Sequence, residues 1–525
     1  SKEEYVYYQK LIMKRTYFLA SLLGAFLMFP HIVDAQTYGV TTEEKNEQNT
    51  PDGWTKVSLP SLTVTNPSGT RLQNIVDYGA STESTDNHKA IQDAIDALPS
   101  RGGVVVIPKG TWLTGAFTLK AKTILHLENG ATLKMLPMGE WKDGESPLIS
   151  FKSGATDIIV EGENEDSCFI DGQGADWWAV RDKYGKESSQ WANLKRPGIM
   201  DIRSGSRFLI KNFTIKNSPT VNIHVGNKNT GGMHTTFHNV RILAPASELR
   251  YSSSNAEGKN PSHNTDGISV WTRFVNIYDC EISTGDDNVV MDEGAQYVHV
   301  WNCSFGTGHG ASIGSYTTDV HDILWDSINF EGTTLGFRLK SNVGRSGSVY
   351  NLTMKDCTMN NVRGAISMTA WYDKEPGVPA TKSDSVDNTP YYHDILIKNL
   401  KATNVNGESV HMFGRPESYI SNVTLDNVQI KASQGMFLAY VRGLKFINGC
   451  NLTTTSGNFI KQRYQATLSG RYDGTDVPTG ISSPTVDTEN PSTDVAWYTL
   501  SGQRVSKYSL TRGVYIHQGK KYVVK

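Results

Sequence analysis

Cysteine is scarce: the chain has five among 525 residues, too few for a disulfide framework in a protein this long. An excess of charge of one sign is lacking too. A net charge of −2 leaves no basic surplus for nucleic acid or an anionic membrane, so an acidic substrate must meet cations gathered locally. Long apolar runs are confined to the N-terminus, and only one stretch after it has the period of an amphipathic helix. No Cys/His cluster has zinc spacing and no Asp-rich stretch has the EF-hand pattern. No metal and no cofactor is called for.

What is present begins with an export signal. Met13-Lys14-Arg15 precedes the apolar run Tyr17 to Pro30 and then Val33-Asp34-Ala35. A basic start, a short apolar centre and small residues at the cut describe a secretory signal peptide, with the mature chain starting near Gln36. The run is shorter than the roughly 20 residues that span a bilayer, so no membrane span is expected in the mature form. Residues 1–12 precede a plausible start at Met13.

From about residue 155 one local pattern returns: a β-rich run, an Asn or Asp, then another apolar residue. It reads FLIKNFTI, TTFHNVRI, VNIYDCEI, VHVWNCSF, LTMKDCTM, ILIKNLKA and VTLDNVQI, at intervals of about 22 to 30 residues with two longer gaps. Strands at such a period, without long helices, predict an all-β solenoid, a parallel β-helix whose coils share one core. The Asn and Asp suit bends between strands, which also accounts for Asn212, Asn302 and Asn422 in N-x-S/T triplets without glycans. Cys280, Cys303, Cys357 and Cys450 recur at one place in the pattern, as a stacked core ladder would.

The predicted helix lies in DNHKAIQDAIDAL, with Ala90, Ile91, Ala94, Ile95 and Leu98 on one face and Asp86 as N-cap. It would cap the open first coil, blocking edge pairing. A capped solenoid has no need to associate, which predicts a monomer. The expected order is an upstream segment and signal peptide (1–35), a β extension (36–70), the solenoid (71–470), a linker (471–495) and a small β element (496–525). Insertions at 246–262 and 371–393 should be loops on one face.

Four motifs carry the chemistry: Asn264-Thr265-Asp266-Gly267, Gly285-Asp286-Asp287, Gly308-His309-Gly310 and Arg338-Leu339-Lys340. They follow one another at about the coil period, so they should stack with neighbouring coils about 4.8 Å apart. Asn264 and Asp266 point one way, as do Arg338 and Lys340 with Leu339 turned inward. Asp286 and Asp287 would diverge in a regular strand, so the backbone must bend there, as Gly285 permits. Singly, each motif reads as a turn, a solvated pair or an exposed strand face. Together they set three carboxylates, an imidazole and two cations on one wall.

NTDG, GDD, GHG and R-x-K in this order resemble the polygalacturonases, glycoside hydrolases of the family 28 type, and the likeness covers roughly residues 70 to 460. The family usually has Ile where this chain has Leu339, a swap that conserves volume. The resemblance implies a right-handed parallel β-helix that hydrolyses α-1,4-galacturonosidic bonds of pectin or oligogalacturonides with inversion. By it Asp286 is the general acid, and Asp266 and Asp287 activate water. Three close carboxylates cannot all ionise freely, so one should stay protonated, assigned here to Asp286 with His309 bearing on it. Arg338 and Lys340 would bind the galacturonate carboxylate, Asn264 would position Asp266 and substrate, and Tyr372 would touch the sugar. Trp177 and Trp178 suit sugar stacking or core packing.

Two other readings stand beside this one. A calcium-dependent β-helix lyase would use the Asp groups as ligands and leave His309 idle. A non-catalytic carbohydrate-binding solenoid would bind without turnover. The two insertions flanking the motifs favour a closed groove and exo action.

Overall fold

The computed structural model describes residues 36–246, 262–383 and 388–472, and in the C-terminal stretch the strands Trp497–Thr499, Arg504–Val505, Gly513–His517 and Lys520–Val524. The predicted signal peptide, most of the first insertion and nearly all of the linker lie outside the described residues. Among the described residues no helix is long and apolar enough to cross a membrane.

Short strands bounded by bends stack in parallel on their counterparts one coil away, building a 34-stranded sheet. Ile268 pairs with Val289, Val289 with Ala311, and Ala311 with Phe337, so each motif occupies its own coil. The recurrent Asn and Asp make the bends. Asn239, Asp279, Asn302, Asp356, Asn399 and Asn427 hold φ between 50° and 56°, a left-handed conformation that short polar side chains tolerate. They also bond along the stack: Asn399 Nδ2 donates to Asp356 Oδ1 at 2.7 Å and Asn427 Nδ2 to Asn399 Oδ1 at 2.9 Å. The five cysteines are free and buried, and Cys280 and Cys303 stand side by side on adjacent coils.

The interior is one continuous apolar column, in which Leu339 lies between Ile313 and Met368 with no exposure. The capping helix runs His88–Ala97 and buries Ala90, Ile91, Ala94 and Ile95. Its N-cap is Asn87, one residue later than expected, while Asp86 Oδ1 accepts from the His88 N–H at 2.9 Å. Ahead of the helix, Thr37–Gly39 pairs antiparallel with Thr63–Thr65, and Tyr38 and Val64 pack on Val104 and Ile124 of the solenoid. The C-terminal strands form a four-stranded antiparallel sheet.

Candidate active site

Each motif sits where a coil enters one face of the solenoid. Asp266 precedes the strand Ile268–Trp271, Asp286 and Asp287 precede Val289–Met291, and His309 precedes Ala311–Ile313. Arg338 and Lys340 lie inside Leu335–Lys340. The buried Asn288 side chain ties two of these bends together, donating to the Ile282 and Thr307 carbonyls at 2.9 Å and accepting from the Gly310 N–H at 2.8 Å. A side chain at Gly308 would collide with that amide: its φ is +136°, and a Cβ would stand 2.6 Å from Asn288 Oδ1. At Gly285 a Cβ would stand 1.9 Å from the Ser262 carbonyl oxygen. The glycines flanking GDD and GHG are therefore dictated by close packing of adjacent bends.

The three carboxylates converge. Asp266, Asp286 and Asp287 each offer an oxygen, and these oxygens lie within 4.8 Å of one another. Their environments differ sharply. Asp287 is 1% exposed. It accepts from Lys340 Nζ at 2.6 Å, Arg338 Nη1 at 3.0 Å and Ser312 Oγ at 2.6 Å. Burial alone would raise its pKa, but Lys340, Arg338 and His309 overcome burial and hold it well below the usual carboxylate range. Burial pushes Asp266 well above that range, and the charges of Asp286 and Asp287 add to the effect. Burial and its two acidic neighbours thus favour a proton on Asp266, whereas the sequence reading expected one on Asp286.

Asp286 is half-buried and faces the groove. Its Oδ1 accepts from the Asp287 N–H at 2.9 Å and lies 3.8 Å from His309 Nε2. Asn264 reaches this carboxylate rather than Asp266, with Nδ2 donating to Asp286 Oδ2 at 3.5 Å. Arg196 fixes the amide's orientation by donating from Nη2 to Asn264 Oδ1 at 3.0 Å. Lys340 and Arg338, expected on the substrate, are both bonded to Asp287, and the Lys340 side chain is only 7% exposed. Tyr372 is 39% exposed, with its ring 5.2 Å from Lys340 Nζ and 5.9 Å from the Arg338 guanidinium carbon. The structure thus brings every predicted site residue to one face.

A cavity of about 260 Å³ opens beside Asn264, Asp286 and His309, and its far wall is Arg181, Lys186 and Trp191. That wall is an inserted segment carrying the helices Ala175–Tyr184 and Ser189–Ala192. Trp191 carries the Arg196 guanidinium on its ring at 4.1 Å, and Arg196 Nη1 donates to the His263 carbonyl at 2.8 Å. Burial and the nearby Arg181 bring the Arg196 pKa down to about 10, leaving it charged at neutral pH. Sequence reasoning missed this wall. The signal was the break in the repeat between DGQG and FLIKNF, where Arg181, Lys183, Lys186, Lys195 and Arg196 gather. Trp177 and Trp178 face the interior, 3% and 1% exposed, and Trp178 Nε1 donates to the Ser218 carbonyl at 3.2 Å, so they pack rather than stack on sugar.

The chain is similar to several known proteins. It is 25% identical to the endo-polygalacturonase of Pectobacterium carotovorum subsp. carotovorum over 70% of this chain and 89% of that one. A relative from Arabidopsis thaliana is 28% identical, the match spanning 57% of this chain and 61% of that protein. Among solved structures, an exopolygalacturonase from Thermotoga maritima superposes with a TM-score of 0.60 at 20% identity, covering 80% of this chain and 94% of that one. A polygalacturonase from Erwinia carotovora ssp. carotovora gives 0.57 at 24% identity, covering 73% and 99%. At these identities the structural likeness speaks to the fold alone. The family model for glycosyl hydrolases family 28 matches residues 103–444, a span that holds all four motifs, and the chain belongs to that family.

Proposed function

We propose that this protein hydrolyses α-1,4-galacturonosidic bonds of pectic galacturonan with inversion, releasing galacturonate from a chain end. The observation that carries the reading is the trio Asp266, Asp286 and Asp287, one carboxylate clamped by two cations and one favouring a proton. The match to the Pectobacterium carotovorum endo-polygalacturonase supports the substrate. Five cations near the groove, Arg181, Lys186, Arg196, Arg338 and Lys340, suit a polyanion that the chain's net charge of −2 would not attract.

Asp286 delivers the proton to the leaving oxygen, since it is the carboxyl turned to the groove and to His309. Carboxylates this close titrate as a set, so the proton favoured on Asp266 passes to Asp286 as the sugar binds. Asp266 and Asp287 then hold and polarise the attacking water. Spacing within 4.8 Å is tighter than the roughly 6.5–9.5 Å usual for inversion. Retention, however, needs a free carboxylate nucleophile, and Asp287 is clamped on both oxygens by Arg338 and Lys340. A calcium-dependent elimination is disfavoured, because a cation among these carboxylates would face Arg338 and Lys340.

Exo action rests on the Arg181–Trp191 wall, which bounds the cavity beside Asp286. The insertions at 246–262 and 371–393 were expected to do this; the first lies mostly outside the described residues, and the second brings Tyr372 beside Lys340 and Glu375 into a second cavity. The basic and apolar run before Ala35 supports export. Proton NMR of purified residues 36–525 acting on polygalacturonate tests the whole reading. The β-anomer of monomeric galacturonate should appear first. A ladder of oligomers would make the enzyme endo-acting, α-anomer first would mean retention, and an unsaturated product would mean elimination.

A further inference from the structure

The groove does not end at Arg338. In the strand register Arg338 is followed by Ser367 and then His411, one per coil, which places His411 about 10 Å further along the face. A second cavity of about 440 Å³ opens there, with Leu335, Ile366, Ser367 and His411 in its lining. Leu335 begins the strand that carries Arg338, so the two sites share a floor.

The polar wall of this cavity is a chain of paired charges. His411 lies between two carboxylates, Nε2 2.9 Å from Glu375 Oε1 and Nδ1 2.6 Å from Glu408 Oε2. Lys461 Nζ donates to Glu408 Oε1 at 2.8 Å. Burial opposes charge on all three, but the pairing wins: His411 is pushed up to about 9, and Glu375 and Glu408 are held below their ordinary range. At neutral pH each imidazole N–H is therefore spent on a carboxylate. The two cations and two carboxylates cancel, so the wall offers oxygen that accepts from hydroxyl groups and leaves no unpaired cation for a sugar carboxylate. Leu335, partly exposed, adds aliphatic surface. The other cation in the lining, Arg363, is exposed, where solvent screens its attraction for an anion.

Resting on the galacturonan reading above, we propose that this cavity is a downstream subsite for an uncharged sugar unit. A neutral branch sugar and a galacturonate with its carboxyl esterified share that chemistry. Decorated or esterified pectin would then be preferred over the fully acidic polymer.

Three tetramers test this with the full mature chain: one fully acidic, one methyl-esterified on a single unit downstream of the cut, and one carrying a neutral sugar there. Galacturonate release should give a kcat/KM about tenfold higher for at least one uncharged-unit tetramer than for the acidic one. Which of the two leads identifies the source of the unit. Glu375→Gln should raise kcat/KM for the acidic tetramer about threefold and shrink the ratio, a gain that damage to the fold would not produce. Equal rates on all three, or an acidic preference abolished by Arg363→Ala, would overturn the proposal. If no tetramer is cut, the hydrolase reading fails, and calorimetric titration still ranks the three ligands. Tighter binding of an uncharged-unit tetramer would support the subsite, and equal binding would overturn it.

Discussion

His309 Nδ1 and Thr334 Oγ1 are hydrogen-bonded across 2.7 Å, and that bond decides where the other ring nitrogen faces. The Thr334 hydroxyl spends its own hydrogen on the Gly308 carbonyl at 3.0 Å, so towards His309 its oxygen only accepts. Nε2 is left facing Asp286 Oδ1 at 3.8 Å. His309 thereby ties the coil after GDD to Asp286, the acid of the proposed reaction.

Thr334→Val keeps the side-chain shape and removes the acceptor. The ring then loses its fixed tautomer, and kcat should fall about tenfold with KM little changed. The pH–rate profile should shift as well, which a packing defect alone would not cause. An unmoved profile would detach His309 from proton transfer.

Asp286→Asn and Asp287→Asn should fail in different ways. The first removes the acid, so kcat on polygalacturonate should fall by about 10³ while the melting temperature holds. A substrate whose leaving group needs no proton should recover much of that loss. The second strands Lys340 and Arg338 beside a neutral amide, and breaking a buried pair of this kind costs about 3–5 kcal/mol. Asp287→Asn should therefore lower the melting temperature as well as the rate, with no rescue by leaving group.

The solenoid was legible because each coil repeats one message, an apolar run and then Asn or Asp in a left-handed bend. The four motifs were legible because coil spacing converts sequence interval into stacking. The pairing within the site was not. Nothing in R-x-K says that Arg338 and Lys340 both reach back two coils to Asp287, past Ser312, which pairs with Arg338 on the intervening strand and donates to the same carboxylate. The Arg181–Trp191 wall escaped because it interrupts the repeat, and an insertion's direction depends on which side chains its helices bury. Trp177 and Trp178 go into the core and Trp191 to the cavity, a division that adjacent aromatics do not announce.

That wall has its own test. Arg181 lines the cavity beside Asp286, and Arg181→Ala removes a cation from the end of the groove. A lost charge-assisted bond to substrate is worth about 1.5–3 kcal/mol. KM for galacturonides should rise at least tenfold, with kcat within about threefold of the parent. Steady-state kinetics on the dimer checks this, and an unchanged KM would remove Arg181 from the binding site.

A fourth carboxyl ties stability to pH. Asp292 is 6% exposed and accepts from the Tyr316 N–H at 3.0 Å. Burial pushes its pKa up to about 7, against the pull of Lys340. Its proton is therefore kept in the folded chain at pH values where the unfolded chain, with an ordinary Asp near 3.9, has already lost it. The folded state is favoured fully below about pH 4, and this contribution is lost progressively up to about pH 7. Asp292→Asn keeps an oxygen for Tyr316 and does not titrate. Relative to the parent, the variant should gain stability as pH rises from 4 to 7, by on the order of 4 kcal/mol if the chain unfolds in two states. Denaturant melts at pH 4, 5.5 and 7 measure that difference. A gap that stays constant with pH would mean that Asp292 ionises alike in the folded and unfolded chains.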